Sequence, residues 1–216
     1  MVTIWLQFLH ILSKKQYCVF FRNFFQNLLT WSELHVIQYG CNRKATCCPS
    51  YSDRRILKRR ITMYLEKINS PSDIKKLSVD EMKKLTQEMR DALIFKLSRH
   101  GGHCGPNLGF AEATVALHYV FDSPVDKIVF DVSHQTYCHK MLTGRKDGFL
   151  YEEHFDDISG YSNPAESEHD FFVIGHTSTS VSLALGLAKA RDLKHESGNV
   201  IAVIGDGSLS GREALW

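Results

Sequence analysis

Three short apolar runs in this sequence each end in a polar turn whose residue types could do chemistry. KIVF leads into Asp131-Val132-Ser133-His134, DFFVI into Gly175-His176-Thr177-Ser178, and VIAVI into Gly205-Asp206-Gly207-Ser208. In the last turn two glycines let the backbone bend sharply and come close to a ligand. The carboxylate between them can face a divalent cation. Mg²⁺ is commonly held by one or two carboxylates together with substrate phosphates, and a helix start beside it favours a diphosphate. The alternative for such a turn is a plain structural loop. In the second turn, hydroxyls and free backbone N–H groups at a helix start suit an anion or a heterocycle. The same Ser and Thr residues would also serve as an ordinary N-cap, although His176 adds a polar group that a cap does not need.

Two further places carry reactive side chains. His134, Cys138 and His139 raise the question of zinc, but their spacing matches neither a common finger nor a ribbon. A buried histidine, or for His134 a site histidine, accounts for them better. His103 and Cys104 lie in the glycine-rich loop GGHCGPNLG. Histidine can shuttle protons near neutral pH, which makes His103 the chemical candidate. Nothing adjacent to Cys104 would stabilise a thiolate, so it is expected to be a small packed residue.

The elements that must position these turns are legible in the pattern. Ser78 followed three residues later by Glu81 is a capping box. Met82, Leu85, Met89, Leu93 and Leu97 then recur at helical steps as far as Gly101 and Gly102. FAEATVALHYVF predicts a mainly buried helix, and SVSLALGLAKARDLKHE a helix with Ser at its start. Unbroken apolar runs suit parallel strands covered on both faces. The order predicts an α/β fold: an open, mostly parallel sheet with helices on both faces, including a strand–helix–strand unit from the second run to the third. Ligands of such sheets bind beyond the carboxyl ends of the strands, so the three turns should converge on one crevice.

The chain has 216 residues and a net charge of +2, which implies no nucleic-acid or membrane partner. Charge is unevenly spread. Residues 1–62 carry ten Lys or Arg against two acids, Glu33 and Asp53, and four of the six cysteines. The opening stretch of that segment, MVTIWLQFLHILS, is apolar but short for a membrane span, and lacks the basic start and cleavage site of a signal peptide. The segment's density of Phe, Trp and Cys fits a transit peptide poorly. We expect residues 1–62 to be a non-homologous, disordered or spurious segment, with the functional protein opening near Met63. The two cysteines left in residues 63–216 suit a reducing compartment without disulfides.

The glycine-rich loop through to KIVFDVSHQTYCHKMLTGRKD, then GHTSTSVSLALGLAKA, then VIAVIGDGSLSG together resemble the N-terminal domain of the 1-deoxy-D-xylulose-5-phosphate synthase family, from about Met63 to Gly211. The resemblance implies a thiamine-diphosphate fold of the transketolase superfamily. It implies condensation of pyruvate with D-glyceraldehyde 3-phosphate and release of carbon dioxide, with a product feeding isoprenoid, thiamine and pyridoxal synthesis. By motif, Asp206 would ligate Mg²⁺, and Gly207 and Ser208 would line the cofactor diphosphate. Gly175, His176 and Thr177 would contact the cofactor on its other side, and His134 would reach it from the first strand. His103 would lie near the reactive carbon and help with proton transfers, so His103 and His134 are the catalytic candidates.

The resemblance further implies a homodimer in bacterial cytoplasm or a plastid, and the poor transit-peptide character of residues 1–62 favours the bacterial cytoplasm. In the family the Gly-Asp-Gly turn begins a longer motif that closes with an Asn, and a Glu from a later domain activates the cofactor. Neither follows here, and Arg212 and Trp216 depart from the small-residue and acidic pattern expected after the turn. Residues 63–216 are therefore expected to be a truncated cofactor-binding domain, inactive alone. Two other readings stay open: the N-terminal subunit of a split transketolase-like enzyme, and a non-catalytic remnant.

Overall fold

The computed structural model of the chain describes residues 64–211. The expectations for residues 1–62, Met63, Arg212 and Trp216 fall outside the described residues.

After a short turn at Leu65–Lys67 and the one-turn helix α1 (Pro71–Ile74), the long helix α2 runs over Val79–His100. It starts as the capping box predicts. The Ser78 side chain accepts the Glu81 N–H, and the Glu81 carboxylate accepts the Ser78 N–H at 2.8 Å. Gly101, at φ 84°, ends it in a conformation few other residues tolerate. Met82, Leu85, Met89 and Leu93 are fully buried, so the predicted apolar stripe is the core face. Helix α3 (Gly105–Val120) packs on α2, and Arg90 pairs with Glu112 across the contact while also donating to the Leu108 carbonyl at 3.1 Å.

Strand β1 (Lys127–Phe130) pairs in parallel with β2 (Val200–Val203), Lys127 opposite Val200 and Phe130 opposite Val203. Ile128, Phe130, Ile201 and Val203 point into the main core with α2 and α3. Val129 and Ala202 point the other way, into a smaller cluster with Ala184 of α6 (Ser180–Leu193). Successive strand residues face opposite sides, and both faces are covered, as a parallel sheet requires.

Between the strands lie α4 (Tyr137–Lys140), a widened turn over Met141–Arg145, α5 (Asp147–Leu150), a short turn at Glu152–His154 and a long loop. The open parallel α/β sheet is therefore present, but the expected strand at residues 171–174 is not. DFFVI pairs with neither β1 nor β2: Phe172 and Ile174 turn into the smaller cluster while Val173 is 77% exposed. An apolar run alone cannot distinguish a strand from a segment tucked against a helix. The strand–helix–strand unit accordingly runs from β1 through α6 to β2. No helix among the described residues is long and apolar enough to cross a membrane.

Candidate cofactor site

The turns after β1 and β2 stand at the same end of the parallel pair, and hydrogen bonds tie all three predicted turns together. Asp131, the first residue beyond β1, is 2% exposed. Its carboxylate accepts the backbone N–H groups of Ser178, Thr179 and Ser180, each at 3.0 Å. Ser133 Oγ donates to the Ile174 carbonyl at 2.8 Å and accepts the Ser162 N–H at 3.0 Å. Ser178 Oγ donates to the Ser208 carbonyl at 2.5 Å. The three turns thus meet as expected from strand polarity, although the second follows no strand.

One expectation is corrected by the same contacts. The N–H groups at the start of α6 are not free for an anion, because Asp131 already holds them. Nor is the cap local. Thr179 makes no side-chain cap bond and instead donates to the His176 carbonyl at 3.3 Å. What remains open to a ligand is the exposed stretch Gly175-His176-Thr177 just before the helix.

Backbone strain gathers here. Val132 at φ 59°, Ser133 at φ 66° and Ser178 at φ 68° all sit in the left-handed region. For a β-branched valine this is a true outlier, and such residues cost about 1–3 kcal/mol each. They persist because Asp131 and Ser133 are over-determined by the bonds just described.

At the third turn Gly205 precedes the short helix α7 (Asp206–Leu209). Asp206 is exposed, and one carboxylate oxygen accepts the Gly207 N–H at 2.9 Å. A Cβ placed on Gly175, Gly205 or Gly207 would meet nothing within 4 Å, so all three border open space. Gly211 is the opposite case, since a Cβ there would overlap the Ser178 hydroxyl.

The two candidate histidines meet although 31 positions separate them in the sequence. The His103 and His134 rings lie edge to face with centroids 5.5 Å apart. Asn107, fully buried in the first turn of α3, is the clasp: its amide donates to the His103 carbonyl at 2.7 Å and the His134 carbonyl at 2.8 Å. Its oxygen accepts the Tyr137 N–H at 2.9 Å. Tyr137 Oη lies 3.4 Å from His103 Nδ1, and the Tyr161 ring packs edge-on at 5.1 Å from the His103 ring. Burial, helped by the nearby His103, lowers the His134 pKa and keeps its imidazole neutral. Its Nδ1 is buried and lacks any partner among the described residues.

The residues of the zinc question separate. Cys138 Sγ approaches the Asn107 carbonyl at 3.9 Å, and burial pushes its thiol up to about 12. His139 turns into a different network, and no cluster of three or more metal-ligating side chains occurs among the described residues. Cys104 is exposed rather than packed. Desolvation raises its pKa, so it is not an activated nucleophile.

That other network holds the long loop over His103. Lys140 Nζ contacts Glu166 at 2.6 Å, Arg145 contacts Glu166 at 3.3 Å, and Arg145 grips both Asp170 oxygens at 2.7 and 2.9 Å. Asp170 accepts from His139 Nε2 at 3.0 Å, and His139 Nδ1 accepts from His118 Nε2 at 2.9 Å. Asp170 is buried, yet its bonds from His139 and Arg145 outweigh burial and hold its pKa far below the carboxylate range. With Asp170 ionised, both imidazoles are neutral Nε2–H tautomers, and His118 Nδ1 is left a lone pair with no partner among the described residues.

Asn107, Tyr137 and Tyr161 are the site residues that sequence reasoning missed, and Asp131 was noted in its turn without its role. The available signal was position: an Asp directly after an apolar strand, and an Asn in the first turn of an otherwise apolar helix.

A family model described as 1-deoxy-D-xylulose-5-phosphate synthase matches residues 65–215. A protein of that name from Caldanaerobacter subterraneus subsp. tengcongensis is 56% identical over 151 residues, 70% of this chain and 24% of the relative. One from Dictyoglomus thermophilum is 56% identical over 153 residues, 71% of this chain and 25% of the relative. One from Heliobacterium modesticaldum is 52% identical over 155 residues, 72% of this chain and 24% of the relative. The chain spans about a quarter of the length of the curated relatives it matches.

Proposed function

The chain belongs to the 1-deoxy-D-xylulose-5-phosphate synthase family, and on that premise we propose that residues 64–211 supply the metal- and diphosphate-holding wall of a thiamine-diphosphate site. The carrying observation is that the three turns are hydrogen-bonded into one unit at the carboxyl end of the sheet, with Gly175, Gly205 and Gly207 facing open space beside Asp206.

The donor set fits the cofactor. One exposed carboxylate, completed by diphosphate oxygens, suits Mg²⁺. The orphaned Nδ1 of His134 is the kind of buried polar atom that a ligand satisfies. Asp206 would hold the metal, and Gly207 and Ser208 would line the diphosphate. Gly175, His176 and Thr177 would border the cofactor on the other side. Thiamine diphosphate, when bound, supplies a carbanion-stabilising centre that no side chain offers.

The chain's own residues then orient and move protons. His134, kept neutral by burial, offers an uncharged hydrogen-bonding nitrogen. His103 faces Tyr137 Oη with Nδ1, so Nε2 is its nitrogen left to hold or pass a proton. Tyr161 covers that ring and limits water access.

The reaction proposed for the whole protein is transfer of a two-carbon unit from pyruvate to D-glyceraldehyde 3-phosphate, with loss of carbon dioxide. It is a transferase step supplying isoprenoid precursors. On this reading the protein is a cytoplasmic homodimer, as in a bacterial biosynthetic enzyme, and the 216 residues alone do not turn over.

Calorimetric titration of the chain with thiamine diphosphate tests the site. We expect binding that requires Mg²⁺ and that Asp206→Asn removes. Equal binding with and without Mg²⁺, or none, overturns the assignment.

A further inference from the structure

We propose that Asp131 is a positioning residue: acting through the start of α6, its buried carboxylate sets the Asp206 turn and with it the metal-holding end of the site. The inference rests on the cofactor reading above for its consequence, but its geometry stands independently.

Three successive N–H groups at a helix start make an anion site. Here an internal anion fills it, so the start of α6 works as a strut between β1 and what lies beyond it. Ser178 carries the connection onward. Its N–H is held by Asp131, its backbone is pinned at φ 68°, and its hydroxyl reaches the Ser208 carbonyl. Ser208 lies two residues beyond Asp206 in the same short helix. Gly211 packs so closely on Ser178 that a side chain there would collide with it.

A second branch sets the other wall. Thr179, relieved of the capping role by Asp131, ties back to the His176 carbonyl. One carboxylate thus fixes the spacing between His176-Thr177 and Asp206-Gly207, the two exposed stretches that would face the cofactor. A local Ser or Thr cap would have ended α6 equally well, but would have left its position relative to β1 unset. The tandem left-handed residues Val132 and Ser133, directly after Asp131, show the backbone strain accepted where that carboxylate is aimed.

The test uses the 216-residue chain with Asp131→Asn, Ser178→Ala and the double variant. Asparagine keeps the shape but presents an NH₂ to N–H donors. Ser178→Ala leaves the Asp131 bonds intact and cuts only the link to Ser208. Without ligand, both single variants are expected to move the amide resonances of Gly207 and Ser208. With thiamine diphosphate and Mg²⁺ as the probe, each weakens binding about 10–100-fold, the usual effect of removing an outer support of a metal site. The double variant loses less than the product of the single losses, because both cut one relay.

A merely structural Asp131 would instead lower the urea midpoint and leave the probe's affinity in Ser178→Ala untouched. Unmoved Gly207 and Ser208 resonances overturn the proposal, and so does unchanged affinity in variants of a chain that binds the probe. If the parent chain does not bind the probe, the cofactor reading falls, and the amide resonances alone decide the relay. If Asp131→Asn does not fold, Ser178→Ala decides it by the same two readouts.

Discussion

Asp170 and Asp206 are both aspartates, yet their surroundings have little in common. The Asp170 side chain is wholly enclosed and bonded to Arg145, His139 and the Asn163 N–H. Asp206 stands exposed in a turn bordered by open space, and a neighbouring N–H occupies one of its oxygens. The contrast extends to the regions around them. The Asp170 network is closed and multiply bonded. The three-turn end is strained, glycine-rich and polar toward solvent. Left-handed strain gathers in the second, whereas each keeps a buried polar atom without a partner among the described residues, His118 Nδ1 in the first and His134 Nδ1 in the second.

The largest effect should come from breaking the closed region. Asp170→Ala leaves Arg145 and His139 enclosed without their partner, and such a loss costs about 3–5 kcal/mol. Urea denaturation should show that drop. The released loop should also free Tyr161 from His103, read as increased Tyr161 ring mobility by NMR. A loss below about 1 kcal/mol, the value of a surface pair, would mean that the network is not the stabilising centre.

Acid should distinguish the two regions next. Burial, with His139 alongside, keeps the His118 pKa well below its ordinary value, and burial does the same to His139. In the unfolded chain both take up protons as pH falls through about 6.5. The unfolded state then binds more protons, so stability declines on acidification, by at most about 1.4 kcal/mol per pH unit for each histidine. Asp170, with its depressed pKa, contributes stability at neutral pH that is lost only further down, below the ordinary carboxylate range near 3.9. His118→Phe should flatten the first decline and leave the second. An unchanged slope between pH 7 and 5 in that variant would sink the assignment of neutral, buried imidazoles.

Between the regions stands Asn107, buried like the network but serving the open end. Asn107→Ala removes three hydrogen bonds and strands two carbonyls and the Tyr137 N–H. The expected cost is about 1–3 kcal/mol in a urea titration. The edge-to-face contact between the His103 and His134 rings should also loosen, read as a weakened NOE between the two imidazoles. Stability loss with that ring contact unchanged would make Asn107 a packing residue only.

What could be read from the sequence follows the range of each interaction. Helix α2 was legible to its caps, because a capping box and a 3.6-residue stripe are local facts. Residues 171–174 misled because their apolar run is the same whether it pairs as a strand or folds under α6. The chemistry at His103, His134 and Asp206 was visible as residue types in turns, and their roles came from the resemblance. That His103 touches His134 depends on Asn107, and the seat of α6 depends on Asp131, 47 residues before its nearest contact. A carboxylate capping a helix so far along the chain leaves no periodic trace, so the sequence offered a local Thr or Ser cap instead.

The smallest expected effect on stability is the most informative about the open end. Asp206→Asn changes an exposed side chain whose one hydrogen bond reaches its own neighbour. Exposed substitutions away from caps and cores rarely move stability, so the urea midpoint should match that of the parent chain. Mg²⁺-dependent binding of thiamine diphosphate should nonetheless disappear, because an amide gives the hard cation a neutral oxygen in place of a charged one. Asp170→Ala should give the reverse order of effects: a large stability loss, with binding lost only as the fold is lost. If Asp206→Asn instead lowered the urea midpoint and retained Mg²⁺-dependent binding, the two aspartates would be doing the same job. The division between a stabilising region and a ligand-holding one would then have to be redrawn.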